Sequence, residues 1–140
     1  MPQRIVIDAS VTLAWLFDEN AAAARIEAVL SGADLVAPWL WRLEVVNVIL
    51  VKERRNLLTV ARGTQLLELL EDWAVEAVSE PVSRSLTGLA AVARPHQLTA
   101  YDAVYLDLAV SLGLPLFTRD NNLRDAATRI GVPLVTAGGR

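Results

Sequence analysis

Short apolar runs alternate with longer helical patterns along the whole chain, and this alternation constrains the fold more than any other feature. Residues 4–8 read as a strand carried by Ile5, Val6 and Ile7. A helix is expected over about 10–17. "NAAAARIEAVLSG" (20–32) reads as a second, with Asn20 as N-cap and Gly32 as its stop. "LVAP" (35–38) is a short second strand, and 39–54 a strongly apolar helix. Thr59 then caps a Leu-rich helix reaching Trp73. "VEAVS" (75–79) alternates like a third strand, with a helix following at about 81–93. "RPHQLT" breaks that helix, and Thr99 caps the next, which ends near Gly113. "LPLFT" (114–118) is a fourth strand, 121–130 a helix and "VPLVT" (132–136) a short fifth strand. Strands separated by helices pair in parallel through βαβ crossovers. The expected fold is therefore α/β, a three-layer α/β/α sandwich around a five-stranded parallel sheet, with residues 1–140 as a single domain.

The composition agrees with one dense core. The chain has 140 residues, of which 54% are hydrophobic and 21% charged, which sets it apart from disordered chains. Charges interrupt every apolar stretch before the roughly 18 residues of a membrane span. The N-terminus lacks the basic and apolar regions of a signal peptide. No cysteine is present, so disulfides and thiolate metal sites are excluded. A cytoplasmic protein is the simplest expectation. The net charge of −3 argues against nucleic-acid binding by the whole surface, but not against a local basic patch. Lys52, Arg54 and Arg55 form one cationic cluster; they can complement a helix C-terminus, contact phosphate, or do both.

In parallel α/β sheets, ligand sites form beyond the carboxyl ends of the strands. Asp8 follows the first strand and Asp120 the fourth. Each also suits the N-cap of the helix that follows it. Asp102 fits a capping box with Thr99. Glu44 differs, because it lies within an apolar helix on or beside a stripe of Leu40, Val48 and Val51. Burying it without a partner would cost several kcal/mol, so it needs a cation, a proton or a hydrogen-bond donor, unless it faces solvent. Two strand ends, a helix N-terminus and a mid-helix position can converge in such a sandwich. Converging carboxylates repel, by roughly 4 kcal/mol for two charges about 4 Å apart at an effective dielectric near 20. A divalent cation relieves that repulsion. An all-oxygen donor set suits Mg²⁺, with Mn²⁺ as substitute, rather than Zn²⁺. Such an ion can activate water and stabilise charge on a phosphate.

Ser10 and Thr118 stand close enough to this centre to bond a ligand carboxylate or a bound water, or to serve as an ordinary cap and a strand-end hydroxyl. Asp107 and Asp125 are expected to be solvated. Asp107 lies about 140° round the helix from Asp102. His96 is expected in a loop hydrogen bond. Trp15, Trp39, Trp41 and Trp73 are expected mainly in the core, with some free to cover a partner interface.

"IVIDASVTLAWL", "APWLWRLEVVNVI" and "LTAYDAVYLDLAVSLGLPLFTRDNNLRDAATRIGVPLV" together resemble the PIN-domain nucleases, and within them the VapC-type toxins of toxin–antitoxin pairs. The likeness spans nearly the whole chain and is most specific over 98–135. It implies a PIN-like five-stranded parallel sheet and Mg²⁺- or Mn²⁺-dependent cleavage of RNA. By position, the family's acids fall on Asp8, Glu44, Asp102 and Asp120. Asp8 and Asp102 are the expected metal ligands, with Glu44 and Asp120 acting directly or through water. Thr118-Arg119-Asp120 matches the T-x-D block. The resemblance further implies a homodimer and a cognate antitoxin whose C-terminal segment obstructs the site, docked in grooves built from 10–30 and 39–70.

Two other readings fit parts of the pattern. A haloacid-dehalogenase-type phosphotransferase calls for D-x-D after strand one, but residue 10 is Ser. A receiver domain needs a phosphoacceptor Asp after strand three and a late Lys. Here the third strand ends at Ser79-Glu80-Pro81, and Lys52 is the only lysine. A PIN fold retained purely as a binding module is the alternative without catalysis.

Overall fold

Ile5, Val6 and Ile7 are fully buried and β-branched, so the first strand forms where both of its faces can be covered. The computed structural model describes residues 2–18, 21–79 and 85–137. The elements run β1 (Gln3–Ile7), α1 (Ala9–Phe17), α2 (Ala21–Leu30), β2 (Ala33–Pro38), α3 (Leu40–Arg54), α4 (Val60–Glu71) and β3 (Glu76–Val78). They continue with α5 (Leu86–Ala93), a 3₁₀ turn at Arg94–His96, α6 (Ala100–Leu112), β4 (Leu116–Phe117) and α7 (Asn121–Ile130). The expected Asn20 cap, and the start of the helix placed at 81, lie outside the described residues.

The sheet is parallel throughout, in the order β3-β2-β1-β4. The chain steps from β1 to β2 to β3 in one direction, then returns across the sheet to β4. Right-handed crossovers put the outgoing helices α1–α4 on one face and the returning helices α5 and α6 on the other. Contacts agree: α1 packs on α2 and α3, while α6 packs on β1, β2, α5 and α7. The three layers are thus as expected, but the fifth strand is reduced. Only a parallel bridge between Leu116 and Leu134 forms. Leu116 N–H donates to Pro133 O at 2.9 Å, and Val135 N–H donates to Leu116 O at 2.9 Å. Pro133 has no N–H to extend the ladder. No helix among the described residues is long and apolar enough to cross a membrane.

The helix limits follow local chemistry. Asp8, Thr59, Ser85, Thr99 and Asp120 cap α1, α4, α5, α6 and α7 through their side chains. Gly113 and Gly131 end α6 and α7 at φ +65° and +83°, the left-handed region that residues with a Cβ avoid. Lys52 and Arg54 occupy the last turn of α3, where they complement the dipole, and the Lys52 ammonium lies 4.6 Å from the centre of the Phe17 ring.

A buried polar chain joins α3 to the end of β1. The Trp41 indole N–H donates to Thr12 Oγ1 at 2.9 Å, and Thr12 Oγ1 donates to the Asp8 carbonyl at 3.0 Å. Every buried side-chain nitrogen and oxygen among the described residues has a partner. Thr12→Val keeps the shape but orphans the Trp41 indole N–H, while the Asp8 carbonyl keeps the Thr12 backbone N–H at 3.4 Å. It is expected to cost about 1–3 kcal/mol, read as a lower midpoint in urea unfolding with an unchanged slope.

Asp107 corrects the sequence reading. It is only 5% exposed rather than solvated. Burial runs without interruption from Tyr105 to Ala109, because α6 is enclosed by the sheet, α5 and α7, so a 140° rotation still leads into protein. Asp125 is exposed, as expected. Trp41 is buried, and Trp15 meets Trp73 edge-on with ring centres 4.5 Å apart. Trp39 instead heads an exposed apolar stripe along α3 with Leu43, Val46 and Leu50.

Candidate metal centre

The strand order reverses between β1 and β4, and such a switch point opens a crevice at the carboxyl ends of the strands. Asp8 stands at this edge, with its own N–H donating to Phe117 O at 3.3 Å. Its carboxylate is 4% exposed and closely held. Oδ1 accepts from Ser10 Oγ at 2.7 Å and from Val11 N–H at 3.1 Å, while Oδ2 accepts from the Thr118 hydroxyl. Those hydroxyls are positioned in turn by backbone donors: Arg119 N–H to Ser10 Oγ at 2.9 Å and Asp120 N–H to Thr118 Oγ1 at 3.0 Å. Asp8 therefore caps α1 at the carboxyl end of β1. Ser10 and Thr118 act on it directly.

Glu44 receives a hydrogen bond from Tyr105 OH at 2.5 Å. This supplies the donor that its place on α3, beside the buried Trp41, Val45 and Ile49, demanded. Tyr105 was not singled out by sequence. It sits three residues after Asp102 on α6, one turn along the same face, and that spacing was the available signal. Asp102 lies in the first turn of α6, its N–H donating to Thr99 Oγ1 at 3.1 Å. Asp120 caps α7, its Oδ1 accepting from Leu123 N–H at 2.9 Å. His96 belongs to the 3₁₀ turn and lies 3.4 Å from an Arg129 guanidinium nitrogen, as a loop residue.

The four acids act on one another. Burial pushes the Asp8 carboxyl above its ordinary range; the bonds from Ser10, Thr118 and Val11 oppose this, and the charge on Asp102 adds to it. Burial also raises Glu44. Tyr105 opposes that rise, and the charges of Asp102 and Asp8 reinforce it. Asp102 is raised by burial and then by the charge of Asp120, against a bond from Thr99. The Tyr105 hydroxyl is driven well above its usual range, first by burial and then by Glu44, so it stays a proton donor.

The donor chemistry of this edge fits a hard divalent cation: four carboxylates, all-oxygen and mutually repelling. Among the described residues, no three His, Cys, Asp or Glu side chains already stand together in ligating geometry. The reason is local. The oxygens of Asp8 are turned to Ser10, Thr118 and Val11, and Glu44 is turned to Tyr105.

Comparison with known proteins places this architecture. The PIN domain family profile matches residues 5–129. The chain is similar to Ribonuclease VapC3 of Mycobacterium tuberculosis, 31% identical over 89% of this chain and 88% of that one. It is also similar to Ribonuclease VapC3 of Pyrobaculum aerophilum, at 28% identity over 93% of this chain and 99% of that one. Among solved structures, VapBC2 from Rickettsia felis, bound to a DNA fragment from their promoter, shares the fold. The TM-score is 0.66 at 7% identity, covering 96% of this chain and 98% of that one. A parallel sheet whose strand order reverses between β1 and β4, with a family match over 125 of its residues, leads to one assignment: the chain belongs to the PIN domain family.

Proposed function

We propose that this chain is a Mg²⁺- or Mn²⁺-dependent endoribonuclease, the toxin of a VapBC-type toxin–antitoxin pair. The observation that carries the reading is the placement of Asp8, Asp102 and Asp120 at strand ends and helix starts, with Ser10 and Thr118 bonded to Asp8 and the Asp102 helix bonded through Tyr105 to Glu44. The names of the VapC3 relatives support the substrate class.

When bound, the divalent ion supplies Lewis acidity that activates water and neutralises charge on a phosphodiester. Asp8 and Asp102 hold it, with Glu44 and Asp120 contributing directly or through water. Ser10 and Thr118 keep the Asp8 carboxylate in one orientation, and Tyr105 does the same for Glu44. No Ser or Cys nucleophile is needed.

The partners are an RNA substrate, a cognate antitoxin and a second copy of the chain. The exposed α3 stripe of Trp39, Leu43, Val46 and Leu50 supports a protein partner, since such a row seldom faces water in a finished assembly. A cavity of about 340 Å³ between α3 and α4, lined by Trp41, Val45, Leu67 and Leu70, supports a docking groove on this side. A chain without cysteine suits the reducing cytoplasm.

The direct test is cleavage of total RNA by the purified protein, with ends mapped by sequencing. Cutting is expected with Mn²⁺ or Mg²⁺ and is expected to stop with chelator. A protein that cuts no RNA class in either metal would instead be a binding module. Tyr105→Phe gives a finer expectation. Its hydroxyl holds Glu44 toward the ionised form, so losing one hydrogen bond moves the acid limb of the pH–rate profile upward. An unshifted limb would show that Glu44 does not titrate in the reaction.

A further inference from the structure

Thr118 belongs to two environments. It donates to Asp8 on the acid edge, and it also lines a cavity of about 170 Å³. The other walls include Arg25 on α2, Ile26, Phe117, Arg119 and Arg124, and no acid among the described residues lines the cavity. Among the described residues, one carboxylate offsets these three guanidinium groups: Asp18 accepts from Arg119 Nη1 at 2.7 Å, in an exposed pair. Arg124 Nη1 makes only a long bond of 3.4 Å to Thr118 O. Arg25 is exposed and has no carboxylate partner among the described residues. Three cations around one hollow stand out in a chain of net charge −3.

We infer that this cavity is a phosphate subsite, holding a phosphodiester of the RNA strand that neighbours the one at the acid edge; the inference rests on the nuclease reading. Planar guanidinium forks match phosphate oxygens in pairs, which the flexible point charge of a lysine does not. The acid edge repels a polyanion, so the strand needs a cationic hold beside it. The three consecutive residues after β4 divide these tasks. Thr118 bonds Asp8, Arg119 lines the cavity while pairing with Asp18, and the charge of Asp120 acts on Asp102. The bond from Arg119 N–H to Ser10 Oγ fixes this triplet against α1. A phosphate in the cavity therefore fixes the register of the strand relative to the acids.

The test reads binding rather than turnover. In an Asp8→Asn background, a fluorescein-labelled, mixed-sequence oligoribonucleotide is titrated at several salt concentrations and followed by anisotropy. Arg25→Gln and Arg124→Gln are each expected to weaken binding roughly tenfold and to make the slope of log affinity against log salt shallower by about 0.7. Arg25→Lys, which keeps the charge, is expected to retain the slope. Arg62→Gln on α4, outside the cavity, is expected to change neither quantity. Parental affinity and slope in both cavity variants would overturn the subsite alone, provided the wild type cuts the same RNA in Mn²⁺. A wild-type protein that neither binds nor cuts RNA would overturn the nuclease reading and the subsite with it.

Discussion

Asp8→Asn is expected to lower RNA cleavage by at least about 10³-fold, equivalent to roughly 4 kcal/mol of transition-state stabilisation, in a protein that still folds. The fold should survive because the amide oxygen still accepts from Val11 N–H and caps α1. The amide nitrogen replaces Oδ2, and the Thr118 hydroxyl, now facing a donor, can turn to accept. What disappears is the negative charge. Because burial disfavours that charge, the metal-free variant is expected to melt no lower than the wild type. Initial rates on labelled RNA, with calorimetry on the same samples, separate the two effects. Cleavage at the wild-type rate would remove Asp8 from the metal centre.

Without metal, the protein is expected to lose stability as pH rises above the ordinary carboxylate range, and a divalent ion is expected to restore it. Asp8, Glu44 and Asp102 all have folded-state carboxyls raised above their unfolded values. The folded chain then keeps protons that the unfolded chain has released, so this contribution is complete below the unfolded values near about pH 4 and is lost as pH climbs through the folded values. The ion binds only the ionised, folded cluster, so its effect runs the opposite way. At a concentration about 100 times its Kd it adds roughly 2.7 kcal/mol, or about 5–10 °C in a chain of this size. Scanning calorimetry across pH, with Mn²⁺ or chelator, should therefore show the metal-dependent gap in Tm widening toward neutral pH. Asp102→Asn should flatten the metal-free curve, since it removes a charge acting on both Asp8 and Glu44. A gap independent of pH would mean that these carboxyls are not the ligands.

The parts legible in the sequence were those with local causes. Asp8, Asp102 and Asp120 sit at strand ends and helix starts, positions that cap preferences and the alternation of elements mark within a few residues. Glu44 was legible through discomfort, as a carboxylate on an apolar helix. Its partner was not, because Tyr105 lies 61 positions away, on a helix packed against the other face of the sheet. Asp107 was misread for a related reason: helical periodicity says which way a side chain points, not how many neighbours enclose its helix. The fifth strand was read from apolar pattern alone, where Pro133 limits pairing to a single bridge. The arginine-lined cavity was hidden too, since Arg25 is far in sequence from Arg119 and Arg124.

The bonds that hold Asp8 come from its neighbours Ser10 and Val11 and from Thr118 far along the chain. Thr118 is 110 positions downstream, and β4 supplies the edge on which both stand. During synthesis at roughly 5–20 residues per second, the first strand, Glu44 and their helices emerge well before the residues that complete the crevice. The growing chain therefore carries its acids apart for most of its manufacture and brings them together only near the end. Chains that terminate before residue 116 are expected to be inert, so unfinished products would be harmless to the ribosome that made them.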